Sequence, residues 1–119
     1  MSDRLFDPKD YEDAPIIRIA HTIIKQGIVE GASEILLKPT ESSLQVLMRA
    51  GEQWRDMMPL PLYVVKPLAA RFRVMADLDY TCKDRSQEGR IPVRYEDRNY
   101  TIQVRTQPDL QGERIILRF

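Results

Sequence analysis

Apolar residues that recur every three or four positions predict two helices in this chain. The first set gives one apolar face to a segment of about residues 14–31, and it consists of Ile16, Ala20, Ile23, Ile24 and Gly27. Asp13 and Pro15 are typical of a helix start, and Gly31 fits the left-handed position that ends many helices. A second stripe, formed by Leu68, Phe72 and Met75 with Arg71 and Arg73 off it, predicts a helix that begins near Pro67 and ends near residues 76–77.

Alternation of apolar and polar residues predicts six strands in two groups of three. The first group covers about residues 34–38, 44–49 and 53–58, with Gly51 placed for a tight turn. The second group, at about residues 91–95, 100–105 and 115–119, predicts an antiparallel meander, and the polar stretch 79–89 before it predicts a loop. The order α-βββ-α-βββ predicts a two-layer α+β domain, PAS-like in outline, with two helices on one side of antiparallel sheet or sheets.

The length and composition indicate one small domain with no net charge. The chain has 119 residues, and its 18 basic and 18 acidic residues cancel. Residues 1–12 are acidic and lack apolar periodicity, so they predict a mobile leader to a single domain over residues 13–119. Cys82 is the only cysteine, which excludes an intramolecular disulfide. The sequence shows neither a signal peptide nor a long apolar run, and it predicts a cytoplasmic location.

Motifs for catalysis are missing from the sequence. A phosphate-binding loop of the form Gly-x-x-x-x-Gly-Lys-Ser/Thr does not occur, so the chain is not a complete P-loop ATPase. His21 is the only histidine, and we interpret it as a residue at the polar edge of the first helix rather than a base or metal ligand. With no nucleophile–base pair or metal cluster, we expect no enzyme activity and no metal site.

Arginine is the most unusual surface feature. Alternation places four arginines on the sheet face opposite the apolar one, with Arg90 at its entrance, and the four are Arg94, Arg105, Arg114 and Arg118. Guanidinium groups bind phosphate in a bidentate manner, so this face is a candidate anion site. The simpler interpretation is a solvated face whose charge is balanced by Glu96, Asp97 and Glu113.

The aromatic residues argue against nucleic acid as the ligand of that face. Single-stranded nucleic acid binds by stacking its bases on exposed aromatic rings. Tyr95, Tyr100 and Phe119 fall on the apolar side of the meander instead, and Trp54 belongs to the other predicted hairpin. We therefore expect no nucleic-acid partner.

Several segments together resemble the second N-terminal domain of type II secretion and type IV pilus assembly ATPases. Residues 14–18 and 31–39 are similar to the opening of that domain, and residues 71–79 to its later helix. Gln87-Glu88-Gly89-Arg90-Ile91 matches the family's Q-D-G-R-I, and residues 106–118 match its closing segment. The resemblance runs from Ala14 to Phe119 in the right order and spacing.

The resemblance implies a site and a role. In that family the domain docks against a motor domain in a hexamer, and its arginines reach the phosphates of the nucleotide. By position, Arg90 matches the first of these arginines, and the second falls on Gln103. Arg105, two residues further on the same side of the strand, is the candidate substitute, and Arg94 is a neighbouring arginine that could assist.

The resemblance also implies the partners. We expect a non-catalytic interaction or regulatory domain that meets a hexameric secretion or pilus motor ATPase or its cytoplasmic partner proteins, without inserting into a membrane. It would have no cofactor of its own and would meet ATP only in complex with a motor. The alternative is a domain that senses a nucleotide or cyclic dinucleotide. Three alternatives stay open. The chain is either a free-standing protein or a domain of a longer ATPase, and it belongs to either a secretion or a pilus system. It either does or does not form a homodimer through the open edge of the meander.

Overall fold

The computed structural model describes residues 15–79, 81 and 84–119; the predicted leader, Asp13, Ala14 and Cys82 lie outside this part. The helices are α1 (Pro15–Val29) and α2 (Val65–Met75), and a short 3-10 helix (Leu62–Val64) leads into α2. The strands are β1 (Glu34–Pro39), β2 (Leu44–Ala50), β3 (Gln53–Asp56), β4 (Gln87–Tyr95), β5 (Arg98–Asp109) and β6 (Gly112–Arg118). The predicted α+β order is therefore confirmed.

The two predicted groups of strands form one antiparallel sheet. The strand order is β3-β2-β1-β6-β5-β4. The groups join where β1 pairs with β6, with Leu36 opposite Ile116. Both helices pack on the same face of this sheet, and β3 and β4 form its edges. The sheet therefore has one helix-covered face and one open face, the two names used below.

The core lies between the helices and the helix-covered face. Alternate strand residues point into it, because successive side chains of a strand lie on opposite sides. From β1 and β2 these are Ile35, Leu37, Leu44, Val46 and Met48, and from β4 to β6 they are Ile91, Val93, Ile102, Val104, Ile115 and Leu117. Helix α1 adds Ala20, Ile23 and Ile24, and α2 adds Leu68, Ala69 and Phe72. Gly27 of α1 is needed for this packing, since a Cβ atom there would overlap the Phe119 ring.

Turn residues end the elements where the sequence predicts. Gly31 follows α1 with a φ of 67°, and Gly51 joins β2 to β3 with a φ of 69°. Both values lie in the left-handed region that glycine adopts without steric cost. Asp77, just after α2, reaches a φ of 60° without being a glycine. The predicted end of the second helix near residues 76–77 is thus confirmed.

The beginning of the meander differs from the prediction. Strand β4 begins at Gln87, inside the stretch predicted to be a loop. The first residues of β4 are glycine and polar or charged residues, which lack apolar alternation. The sequence pattern therefore did not predict a strand there. Arg90 therefore lies within β4 and not at the entrance of the arginine face.

Three polar residues are also placed differently from the prediction. Arg73, predicted off the apolar stripe of α2, is 1% exposed and forms an ion pair with Glu113 of β6. Glu113 consequently faces the helices and does not balance the arginine face. His21, predicted at a polar edge, is buried on the packed side of α1. Arg73 and Glu113 lie in the core because they pair with each other across the helix–sheet boundary, and this tertiary contact is not visible in the local pattern of either segment.

Candidate functional site: the open face of the sheet

Two rows of side chains cross the open face from edge to edge. The polar row contains Arg90, Gln103, Arg118, Glu34, Arg49 and Trp54, one from each strand in sheet order from β4 to β3. The mixed row next to it contains Glu88, Arg105, Ile116, Leu36, Leu47 and Asp56. Both rows arise because each residue lies directly opposite its neighbour in an antiparallel ladder. In the part of the chain that the structure describes, no helix or strand covers them.

The rows meet in a shallow depression near the β4 edge. Its volume is about 270 Å³, and the side chains around it are Glu88, Arg90, Gln103, Arg105, Ile116 and Arg118. Arg90 lies directly across from Gln103, and Arg105 is its diagonal neighbour on β5. Three arginines against one glutamate give the depression a positive charge that suits an anionic ligand.

Two of these three arginines are already paired with carboxylates. The Nε atom of Arg105 lies 3.3 Å from Oε2 of Glu88, across the β4–β5 ladder. The Nε atom of Arg118 lies 3.2 Å from Oε2 of Glu34, across the β1–β6 ladder. Arg90 is exposed and forms no hydrogen bond or ion pair with any residue that the structure describes. Arg90 is therefore the guanidinium of the depression that is available to a ligand without breaking a contact.

Arg94 and Arg114 share the open face with the depression but do not line it. Arg94 lies near the other end of β4, with Nη2 3.7 Å from Oδ1 of Asp97 and Nη1 3.3 Å from Oδ1 of Asn99. Arg114 pairs with Asp109 at 3.3 Å. Of the three predicted site residues, the structure thus brings Arg90 and Arg105 together and leaves Arg94 apart.

Glu88 and Arg118 belong to the depression and were not among the predicted site residues. Glu88 could have been found from the sequence only if β4 were known to begin at Gln87, because then positions 88 and 90 share a face. Arg118 was already on the predicted arginine face. Its closeness to Gln103 depends on the β5–β6 register, which the sequence does not fix at this precision.

The position of Trp54 corrects the argument that it lies away from the arginine face. Trp54 lies on the open face at the end of the polar row, 45% exposed, with Cζ of Arg49 6.0 Å from its ring centroid. Its place in another hairpin therefore does not remove it from this face. Tyr95, Tyr100 and Phe119 do pack against the core. One exposed ring is a small stacking platform, and the absence of a nucleic-acid partner stays a prediction.

A close contact with the helical layer fixes the backbone next to Arg90. A Cβ atom at Gly89 would lie 2.9 Å from the carbonyl oxygen of Ala76, at the end of α2. Only glycine allows β4 to approach the helix end this closely. The glycine of the Gly89-Arg90 pair therefore positions the strand from which the Arg90 side chain emerges.

The described residues hold neither a metal-binding cluster nor a membrane-spanning helix. Among residues 15–79, 81 and 84–119, no group of three histidine, cysteine, aspartate or glutamate side chains is placed to hold a metal ion. Over the same residues, neither helix has the length and apolar character needed to cross a bilayer.

Comparison with known proteins gives the family. Residues 9–119 match the family model described as Type II/IV secretion system protein. The chain belongs to this family, and the resemblance stated from its motifs is confirmed.

Individual relatives agree with this assignment. Type II secretion system protein E of Pseudomonas aeruginosa is 38% identical over 107 residues, which are 90% of this chain and 21% of the relative. Type II secretion system ATPase E of Vibrio cholerae is 34% identical over 90% of this chain and 21% of its own length. Type IV pilus assembly ATPase PilB of Pseudomonas aeruginosa is 30% identical over 90% of this chain and 19% of its own length. The chain spans about a fifth of the length of the curated relatives it matches.

Proposed function

We propose that this domain docks through its open face on a hexameric motor ATPase of the type II secretion or type IV pilus machinery. In the docked state Arg90 contributes positive charge to the phosphates of a nucleotide held by the motor. The observation that carries the proposal is the exposed Arg90 guanidinium, which has no partner among the described residues and lies in a positively charged depression. The names of the relatives, which include a secretion ATPase and a pilus assembly ATPase, supply the class of partner.

The composition of the open face supports a docking role. Its centre is apolar and half-buried, and it consists of Leu36, Leu47 and Ile116 in adjacent strands. Arginines and acids surround this centre on both rows. A small apolar centre with a polar rim is the usual composition of a protein–protein interface. The rim of arginines would also direct the approach of an acidic or phosphate-bearing surface.

Arg105 has a second place in this proposal. It shares the depression with Arg90 and lies two residues along β5 from Gln103, the position at which the resemblance implies a second arginine. A guanidinium is long enough to reach a ligand above either position. We propose that Arg105 takes the role expected at position 103, after it leaves its contact with Glu88.

The test is ATP turnover by the cognate motor hexamer with and without this domain. We expect the wild-type chain to co-elute with the motor and to change its turnover, and Arg90→Ala to keep co-elution while losing most of that change. Arg98→Ala is the matched control, because Arg98 is an exposed strand arginine that alternation places on the other face. Turnover that does not respond to the wild-type domain, or responds equally to both variants, would contradict the proposal.

A second candidate function rests on the same depression. Three arginines around about 270 Å³ would suit a free nucleotide or cyclic dinucleotide as well as a nucleotide held by a motor. Titration calorimetry of the chain with ATP, ADP and cyclic dinucleotides separates the two. The docking proposal expects weak binding of all of them, whereas a sensor would bind one of them tightly and the others poorly.

A further inference from the structure

We infer that Glu88 competes with anionic ligands for Arg105. It thereby sets the intrinsic affinity that an anion needs in order to occupy the depression. This inference rests on the proposed function of Arg90 and extends it to a residue with the opposite charge. Glu88 is the one acidic side chain among those that line the depression. Its carboxylate forms an ion pair with Arg105, with Oε2 3.3 Å from the Nε atom, and the charge of Arg105 is thereby shared with Glu88 before any ligand arrives.

The geometry makes Glu88 suited to this role. Glu88 and Arg105 lie directly opposite each other in the β4–β5 ladder, so their side chains meet without a change of backbone. Both side chains are well exposed, 67% for Glu88 and 42% for Arg105. An exposed ion pair of this kind is weak and can exchange one partner for another. The contact is therefore weak enough for a ligand to displace it.

Tethering makes the glutamate an effective competitor. A group attached to the same sheet acts at an effective concentration of about millimolar or higher. An incoming anion that needs Arg105 must compete with this local carboxylate, and its apparent affinity falls by one common factor. Glu88 also repels any anion that enters, since it lies two residues from Arg90 on the same strand face.

The consequence is a threshold for the ligand. Anions with low intrinsic affinity, such as a single carboxylate or a single phosphate, do not overcome the loss of the Glu88 contact at modest concentrations. A phosphate chain carries several charges and presents oxygen atoms to Arg90 and Arg105 at once, so it binds more tightly than a single phosphate does, although still weakly in the absence of the motor. The ligand class that the depression admits is thus a chain of adjacent phosphate groups, and a bound phosphate chain transfers Arg105 from Glu88 to itself.

The experiment is titration of the chain with inorganic tripolyphosphate at low salt, with orthophosphate as the weaker probe. We expect Glu88→Gln to bind tripolyphosphate about three- to tenfold more tightly than wild type. Asp97→Asn is the matched control, because it removes one charge from the partner of Arg94, outside the depression, and it should change the affinity less than about twofold. The double variant Glu88→Gln with Arg105→Ala should lose the gain, since Arg105 is the group that Glu88 restrains.

The outcomes separate this inference from the proposed function. If Arg90→Ala abolishes binding but Glu88→Gln does not tighten it, the role of Glu88 is overturned and that of Arg90 is supported. If Arg90→Ala in the Glu88→Gln background leaves binding unchanged, the proposed role of Arg90 fails instead. If Glu88→Gln and Asp97→Asn tighten binding equally, general charge explains the effect and the competitor role is overturned. Failure of Glu88→Gln to bind tripolyphosphate at all would overturn it as well.

Discussion

The two faces of the sheet use the same six strands and the same residue types for different purposes. On each face, one residue of β6 forms an arginine–glutamate ion pair with a residue of a neighbouring element. On the helix-covered face, Arg73 and Glu113 are buried together between α2 and β6. On the open face, Arg118 and Glu34 meet between β6 and β1, where the Arg118 side chain is 57% exposed and that of Glu34 is 20% exposed. Glu113 and Arg118, five positions apart on β6, thus belong to the scaffold and to the candidate site respectively.

The difference between the two pairs is one of solvation. A buried ion pair loses the water of both charges, and removing one partner leaves the other without compensation. An exposed pair keeps most of its water and contributes little to stability. Arginine on the open face can therefore change partners at low cost, whereas Arg73 cannot.

Replacement of Glu113 should have the largest effect on stability. Glu113→Leu removes the carboxylate that forms the buried ion pair with Arg73, and we expect the free energy of unfolding to fall by about 3–5 kcal/mol. The double variant with Arg73→Met should recover much of that loss, because both charges are then gone. Urea unfolding of the three proteins measures this, and a single variant as stable as wild type would show that the buried pair carries no structural role.

Two neighbouring isoleucines compare the faces directly. Ile115 is 1% exposed on the helix-covered face, while Ile116 is half-buried on the open face. Ile115→Ala should cost about 2–5 kcal/mol because it leaves a cavity in the core. Ile116→Ala should cost less than about 1.5 kcal/mol, since solvent or a relaxed neighbour fills the space. Equal losses in urea unfolding would mean that the open face is a second core.

The partly exposed pair of Glu34 and Arg118 should contribute less than the buried pair. We expect Glu34→Gln to lower the free energy of unfolding by less than about 1 kcal/mol, and we expect salt to reduce this difference further. Unfolding curves at low and high salt provide the measurement. A large loss of unfolding free energy that does not depend on salt would show that this pair is structural, like Arg73 and Glu113.

The smallest effect should come from Glu30 and should depend on pH. Hydrogen bonds from Arg55 and Gln26 lower the pKa of the Glu30 carboxyl below its ordinary value of 4.5. A lowered pKa in the folded state stabilises the fold above the ordinary value, and this contribution disappears as the pH falls through the folded-state pKa. Glu30→Gln should therefore be slightly less stable than wild type at neutral pH and equally stable in acid. A difference that grew on acidification would reverse the assigned sign.

The sequence predicted the parts of this fold that follow from local rules. Apolar periodicity located both helices, and turn residues such as Gly31 and Gly51 located their ends and the first hairpin. It could not show that β1 pairs with β6, because this contact joins residues about 80 positions apart. It also missed the start of β4, where charged residues and Gly89 conceal the alternation.

The candidate site was predictable in the same partial way. Alternation correctly placed the arginines on one face, and the family resemblance selected Arg90. The placement of Arg105 beside Arg90 and away from Arg94 depends on the register of β4 and β5, as does the contact between Glu88 and Arg105. Register follows from tertiary packing as much as from the local pattern, so the sequence alone could not identify which arginines share one depression.

The central claim is that the open face, and not the helical layer, meets the partner. Methyl cross-saturation from the cognate motor hexamer to the labelled chain tests it directly. The signal of a methyl group is reduced only where that group lies close to the bound motor, so the two faces can be told apart. We predict loss of signal at Leu36, Leu47 and Ile116, with the exposed helical residues Val29 and Val74 unaffected. Loss of signal at Val29 and Val74, with the three open-face methyl groups unchanged, would contradict the account.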